Sequence, residues 1–310
     1  MSRIIRNFAC GNLISLKMEN MFKERYINPY TEFGFKKLFG TELNKDLLIS
    51  FLNALFEGKQ VVSDIRYLNS EQLGINALSR RAIFDVYCET VDGEKFIVEM
   101  QNVYQPFYKD RSVFYSTFPI REQANMGNWN FELKSVYTIG ILNFVFPEDE
   151  YSEDCLYHEI KLMDTEDKHV FFDKLTFMYI EMPKFNKTED QLVTMLDKWL
   201  FVLRNLTRLM EKPAALQERI FTRLFEQAEI AKFNKEDRRG YEQSMKAYRD
   251  ISNAIIGAKM LGRKEGIEEG RKEGRKESLI EIARKLKAKG MGQYDISEIT
   301  GLSVDDMEGV

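Results

Sequence analysis

The stretch Arg81–Gln101, RAIFDVYCETVDGEKFIVEMQ, decides the fold. Residues 81–90 and 95–101 are rich in β-branched and aromatic side chains, and Val91-Asp92-Gly93 between them has the composition of a turn. The pattern therefore predicts a β-hairpin that carries acidic side chains.

The length of the hairpin loop decides whether the acids lie together. A two-residue loop at Asp92-Gly93 places Asp85 opposite Met100, so that Glu99 points through the other face of the sheet. A three-residue loop, with Gly93 at a positive φ, instead pairs Asp85 with Glu99. Directly opposite residues have Cβ atoms about 4.5–5.5 Å apart. Two carboxylates at that spacing repel each other unless a cation lies between them or one is protonated.

In the three-residue register, Gln101 projects from the same face as Glu99. Two carboxylates and an amide suit a hard divalent cation such as Mg²⁺, and a water bound to that cation could attack a phosphodiester. The alternative is a surface hairpin with solvated acids, or with ion pairs to Arg81 or Lys95. The apolar character of the hairpin argues against this alternative, because it predicts an interior position where unpaired acids are unfavourable.

The order of Asp85 followed by Glu99-Met100-Gln101 on the next strand resembles the PD-(D/E)XK nuclease superfamily, with Gln101 where most members have lysine. Further segments make the chain similar to the Rpn group of recombination-promoting nucleases, often labelled transposases. These segments are residues 28–40 (NPYTEFGFKKLFG), 108–115 (YKDRSVFY) and 137–144 (YTIGILNF).

The resemblance implies an α/β fold, with a restriction-endonuclease-like αβββαβ core, a mixed sheet and a C-terminal helical extension. It also implies a metal-dependent endonuclease that uses Mg²⁺, or Mn²⁺ in its place, and acts on double-stranded DNA in recombination or mobile-element biology. Asp85 and Glu99 are the expected metal ligands, and Gln101 would orient the attacking water or complete the metal shell. The residues themselves do not exclude RNA as the substrate.

Two helices that flank the hairpin supply further candidates. Glu32 lies in the first turn of a helix predicted from Thr31 to Gly58, where an acid either stabilises the helix N-terminus or adds a carboxylate to the site. Arg111, or its neighbour Lys109, either stabilises charge on the scissile phosphate or pairs with an acid of the hairpin. A cation from this helix would compensate for Gln101, because a neutral amide lacks the charge of the usual lysine.

Composition limits the class of protein. A net charge of −4 over 310 residues argues against a protein that coats nucleic acid non-specifically. Cys10, Cys88 and Cys155 are widely spaced and odd in number, which predicts a reducing cytoplasm and neither a disulfide framework nor a zinc site. With two histidines, the chain has little room for a histidine-based metal site or a Ser-His triad. No stretch is apolar for long enough to predict a membrane helix.

The pattern of helices and strands predicts five regions. Residues 1–24 are expected to form an arm that is either mobile or upstream of the true start codon, and residues 25–185 the nuclease-like core. Strands are expected at 61–69, 135–146, 156–163 and 170–181, besides the hairpin. A helical region (186–260) would follow, with Pro213 at a helix start and helices that dock on the core or on each other. A charged, partly helical stalk (261–290), with glycines at 262, 266, 270 and 274, and a helical hairpin (291–310), with Gly301 in its turn, are expected after it.

The acidic final segment favours protein contact, including a homo-oligomer formed through the C-terminal helices, over DNA recognition. Two alternatives to the nuclease stay open at this stage. One is a non-catalytic scaffold that uses the fold for binding or assembly, and it is favoured by Gln101 and by the negative net charge. The other is a sequence-specific transposase, which lacks a recognisable module for binding the ends of an element.

Overall fold

The computed structural model describes residues 24–72, 82–124, 130–147, 154–303 and 306. The predicted arm at 1–24 therefore lies almost wholly outside the described residues. Contacts divide the chain into two compact units, with the division between Met245 and Lys246. Within the described ranges, no helix is both long and apolar enough to cross a membrane.

The first unit is built on a mixed sheet. Its strands lie in the order β1-β4-β5-β6-β8-β7, with β5, β6 and β8 parallel and the remaining neighbours antiparallel. The strands are β1 (Ile65–Tyr67), β2 (Glu71–Gln72), β3 (Ala82–Ile83), β4 (Val86–Thr90), β5 (Lys95–Gln101), β6 (Val136–Leu142), β7 (Tyr157–Met163) and β8 (Val170–Glu181).

Helices cover this sheet and continue beyond it. In chain order they are α1 (Glu32–Phe39), α2 (Lys45–Phe56), α3 (Tyr108–Glu122), α4 (Met195–Asn205), α5 (Arg219–Ala228), α6 (Lys235–Ala288) and α7 (Gln293–Thr300). The mixed α/β fold expected from the resemblance is therefore confirmed, and β6 lies at the centre of the sheet as its continuous apolar run predicts.

The main core joins the sheet to α1, α2, α4 and α5. Trp199 on α4 is fully buried, and its ring contacts Phe39, Phe51 and Phe221 at centroid distances of 5.2–5.9 Å. Aromatic pairs at these distances add to the free energy gained by burying apolar surface. The prediction that helices after residue 186 dock on the core is confirmed for α4 and α5.

Several predicted boundaries were wrong for local reasons. The helix expected to run from Thr31 to Gly58 is two helices, because α1 ends at Gly40 and a 3₁₀ turn (Glu42–Asn44) precedes α2. The strand expected over 61–69 contains only β1 (Ile65–Tyr67). The helix expected to begin at Pro213 begins instead at Arg219. Pro213 lies in a turn, where its carbonyl accepts the Leu216 N–H.

The predicted strand 81–90 is also interrupted. The chain bends at Asp85, so that β3 pairs with β2 in a separate small sheet while β4 enters the main sheet. A bend frees the Asp85 backbone from the ladder and lets its side chain serve a different partner. This interruption therefore falls at a candidate site residue.

The second unit contains most of α6 together with α7. The stalk predicted to be partly helical is continuously helical to Ala288, because Lys, Arg and Glu between the glycines are strong helix formers. Ile296 of α7 packs with Ala283 and Leu302 in a small apolar cluster. Gly301 adopts φ +71° and ends α7, as predicted, and the Ser303 hydroxyl donates to Asp306.

Candidate functional site

The β4–β5 hairpin has the three-residue loop. Val86 pairs with Val98 and Glu89 with Lys95, a register that places Asp85 opposite Glu99. Gly93 adopts φ +83°, a conformation that a residue without Cβ takes without strain. The predicted register is therefore confirmed, and both acids belong to one face of the hairpin.

The Asp85 carboxylate reaches across to the neighbouring strand. Its Oδ2 accepts a hydrogen bond of 2.9 Å from the Met100 N–H. Burial raises the pKa of Asp85 above its usual range, although the bond from Met100 opposes this effect. Asp85 therefore lies beside Glu99 at the point where the antiparallel ladder ends.

Glu99 is the more deeply buried acid, with 7% of its surface exposed. Burial and then the nearby charge of Asp85 raise the pKa of Glu99 to about 8, while Arg111 acts in the opposite direction. Among the residues that the structure describes, none donates a hydrogen bond to its carboxylate or forms an ion pair with it. A buried carboxylate without a partner is unfavourable, and a bound cation would remove that cost.

Gln101 and Arg111 are in direct contact. The Arg111 Nη2 donates to the Gln101 Oε1 at 2.8 Å, and the Gln101 amide nitrogen donates to the Val103 carbonyl at 2.9 Å. Arg111 Nη1 donates to the Gln105 side-chain oxygen. The amide at the position of the usual lysine therefore holds a guanidinium, which brings the positive charge back to the site.

Aromatic rings fix the orientation of this guanidinium. Its carbon lies 5.1 Å from the centre of the Tyr108 ring and 5.7 Å from that of Tyr115, distances typical of cation–π contacts. The alternative in which Arg111 pairs with a hairpin acid is not observed, because its bonds go to amide oxygens. Lys109 lies elsewhere, with its ammonium 4.9 Å from the centre of the Phe146 ring.

Glu32 lies at the solvent-exposed edge of the site. Its side chain is 72% exposed and pairs with Lys36 at 2.8 Å, one turn further along α1. The two charges act on Asp85 in opposite directions, since Lys36 lowers its pKa and Glu32 raises it. Glu32 is therefore near enough to Asp85 for its charge to act there, while its carboxylate contacts solvent and Lys36.

The sequence did not indicate the wall behind Glu99. Gly140 on β6 pairs with Glu99, and a Cβ at Gly140 would lie 2.6 Å from the Tyr108 hydroxyl. Tyr179 follows on β8, where burial raises its pKa to about 12. An isolated glycine within an apolar strand often marks a close approach, so Gly140 was a signal that could have located this wall.

The donor set fits a hard divalent cation. Asp85 and Glu99 supply carboxylate oxygens, the ligands that Mg²⁺ and Mn²⁺ prefer, and the solvent-exposed edge at Glu32 leaves room for bound water. The partnerless Glu99 carboxylate is the observation on this chain that supports the fit. Which residues bind a metal stays a prediction.

A second acidic group lies at the far end of the β7–β8 hairpin. The side chains of Asp164, Asp167 and His169 have ligand atoms within 4.8 Å of one another. Asp164 Oδ1 already accepts the N–H groups of Glu166 and Asp167, which makes it a turn cap. Nine strand positions of β8 at about 3.3 Å each put this group roughly 30 Å from Tyr179, which lies in the same part of the sheet as Glu99.

Comparison with known proteins identifies a family. A family model described as "PD-(D/E)XK nuclease family transposase" matches residues 29–258, about three quarters of the chain. The matched range contains Asp85 and Glu99 as well as Glu32, Gln101 and Arg111. No curated protein and no solved structure matches the chain.

Proposed function

Because the chain belongs to the PD-(D/E)XK nuclease family transposases, we propose that it is a Mg²⁺-dependent endonuclease that hydrolyses phosphodiester bonds in DNA. The single observation that carries this proposal is the pair of carboxylates at the end of the hairpin ladder, where the buried Glu99 lies beside the half-buried Asp85. A buried acid with no protein partner is costly, and such groups concentrate at functional sites.

Asp85 and Glu99 would hold the metal, which when bound supplies a Lewis acid and lowers the pKa of a coordinated water. Mn²⁺ would serve in place of Mg²⁺, because both prefer carboxylate oxygens. Asp85 is oriented by the Met100 N–H, which takes one carboxylate oxygen and leaves the other for the metal. Glu32, at the solvent-exposed edge, is proposed to assist from the water side.

Arg111 is proposed to stabilise negative charge on the phosphate during cleavage. Its guanidinium is always protonated, and preorganised cations of this kind act most strongly where charge develops. Gln101 uses both ends of its amide to hold Arg111 and the Val103 carbonyl. Gln101 is therefore proposed as a positioning residue for Arg111, in preference to the direct role in orienting water that the resemblance implies.

The biological setting proposed from the family is DNA recombination or mobile-element activity, with double-stranded DNA as the substrate. Self-association through the C-terminal helices stays a prediction that sedimentation of the full chain would test. A cytoplasmic location is also part of the proposal, on the basis of the free cysteines Cys88 and Cys155.

The alternative function is a non-catalytic scaffold with the same fold. The observation that favours it is the 7% exposure of Glu99, because a protonated carboxyl in a packed interior can be purely structural. The two functions differ in one property. A nuclease must bind a divalent cation at Asp85 and Glu99, whereas a scaffold need not.

The test is nicking of supercoiled plasmid by the full chain with Mg²⁺, with Ca²⁺ or with EDTA. We expect Mg²⁺-dependent nicking that is lost in Asp85→Asn and in Glu99→Gln. Asp164→Asn is the matched control, because it removes an acid from the distant hairpin group. Equal cutting by the Asp85 and Glu99 variants, or no cutting of DNA by folded wild type, would reject the nuclease.

A further inference from the structure

Phe107, which precedes α3, combines two unfavourable features. Its side chain is 78% exposed, and its backbone adopts φ +62° and ψ +28°. A left-handed backbone is an outlier for a bulky residue, and exposure means that burial does not compensate for it. Among the described residues, its ring contacts no other aromatic ring. Strained residues that persist in this way concentrate at ligand-binding positions.

Phe107 is also close to the candidate site. Its carbonyl accepts the Arg111 N–H at 3.0 Å, so the two residues are one helical turn apart. Arg111 in turn contacts Gln101, two positions after Glu99. One helical turn rises about 5.4 Å, and successive nucleotides of a strand are about 3.4 Å apart. A nucleotide within one or two steps of a phosphate at Arg111 is therefore within reach of Phe107.

We propose that Phe107 binds an unpaired base of the DNA substrate by stacking, one or two nucleotides from the cleaved phosphate. This proposal rests on the nuclease function and adds a substrate class to it, namely DNA with a single-stranded segment beside the cleavage position. In an intact duplex the bases stack on one another, so an aromatic side chain can stack only on a base that is unpaired or extruded. Stacking tolerates every base, which predicts recognition of DNA structure and not of sequence.

Phe131 provides a matched control within the same chain. It is also a phenylalanine, 79% exposed, with φ +62°. It precedes β6, which begins at Val136. Glu99 pairs with Gly140, four positions further along that strand. Phe131 is therefore beyond the opposite end of the strand, and an effect of exposure or backbone strain alone would appear at both phenylalanines.

The test is fluorescence anisotropy of a labelled duplex with a short single-stranded gap, and of the same duplex fully paired, with the full chain in Ca²⁺. We expect Phe107→Asn to bind the gapped DNA roughly 5- to 150-fold more weakly, the range for loss of one base–aromatic stack. We expect unchanged affinity for the paired duplex. Phe107→Trp should retain the affinity for gapped DNA, and Phe131→Asn should leave both affinities unchanged.

Thermal unfolding supplies the second readout. Asparagine tolerates the left-handed backbone, so we expect Phe107→Asn to raise Tm by about 2–4 °C. Higher stability together with weaker binding of gapped DNA would identify a residue kept for its ligand.

Three results would overturn the proposal. The first is that Phe107→Asn binds gapped DNA as tightly as wild type does, or that wild type does not bind it. The second is a lower Tm for Phe107→Asn. The third is an altered sedimentation coefficient of this variant with unaltered DNA affinity, which would indicate contact with a second copy. Binding through Phe107 without Mg²⁺-dependent cleavage would instead reject the nuclease alone.

Discussion

Replacing Glu99 with glutamine should make the metal-free protein more stable at high pH. The pKa of Glu99 is raised from 4.5 to about 8 by burial and by Asp85. Between those two pH values the folded state holds a proton that the unfolded state has released. Stability therefore falls as pH rises through this window and levels off above about pH 8, and glutamine removes this dependence.

The size of the effect follows from the two pKa values. A separation of about 3.5 pH units corresponds to about 5 kcal/mol when the window is fully crossed. At pH 5 Glu99 lowers the free energy of unfolding of wild type by about 1 kcal/mol, because this pH is only just above 4.5. At pH 9, above both pKa values, the loss is nearly complete. We therefore expect the free energy of unfolding of Glu99→Gln, relative to that of wild type, to rise by about 4 kcal/mol between pH 5 and pH 9.

The assay is urea unfolding in EDTA at pH 5, 6, 7, 8 and 9, followed by circular dichroism. Glu89→Gln is the control with the opposite sign. Burial raises the pKa of Glu89, but hydrogen bonds from Lys95 and Arg66 outweigh that effect and lower it. A lowered pKa stabilises the folded state above the ordinary value, so Glu89→Gln should be less stable than wild type throughout pH 5–9.

Mg²⁺ should reverse the Glu99 effect. A divalent cation binds the deprotonated carboxylates and not the protonated ones, so it should stabilise wild type at pH 8–9 and leave Glu99→Gln unchanged. A wild-type and Glu99→Gln difference that stays constant from pH 5 to pH 9 would refute the assignment of a raised pKa. Equal stabilisation of both proteins by Mg²⁺ would refute the metal site.

Arg111→Ala should lower single-turnover cleavage by about 100-fold, and Gln101→Lys added to that variant should recover part of the loss by returning a cation to the site. No recovery would contradict the role of Arg111 as the cation of the site. Gly140→Ala should lower the free energy of unfolding in urea by about 1–3 kcal/mol, because the added Cβ would lie 2.6 Å from the Tyr108 hydroxyl. Unchanged stability would disprove this close approach. Trp199→Ala should lower the free energy of unfolding by about 3–5 kcal/mol in the same measurement, since it leaves a cavity in the main core. A loss below about 1 kcal/mol would contradict the central position of Trp199.

The parts of the fold that the sequence predicted are those with a strong local pattern. The β4–β5 hairpin followed from the loop composition and from alternation along both strands, and the observed register is the one of the two alternatives that the resemblance required. The predicted strand 170–181 matches β8, and the apolar run at 135–146 contains the central strand β6. The resemblance carried by Asp85, Glu99 and Gln101 is confirmed as membership of the PD-(D/E)XK nuclease family transposases.

Errors occurred where tertiary contacts or turn chemistry outweighed the local pattern. The chain bends at Asp85 while that side chain accepts the Met100 N–H, although residues 81–90 have the composition of one strand. Pro213 fits a helix start, yet the helix begins six residues later at Arg219. The glycines of the stalk suggested partial helicity, but the residues between them sustain one helix to Ala288.

The sequence by itself determined that Asp85 and Glu99 lie on neighbouring strands of one hairpin and limited them to two registers, since strand alternation and turn composition are local properties of the chain. Only the tertiary structure decided what surrounds those acids. Packing of α3 and β6 against β5 buries Glu99, brings Arg111 to Gln101 and leaves no space for a Cβ at Gly140. Contacts between residues distant in the chain depend on how elements pack. A raised pKa depends on how far packing excludes water from the carboxylate, and the periodicity of the sequence does not determine that.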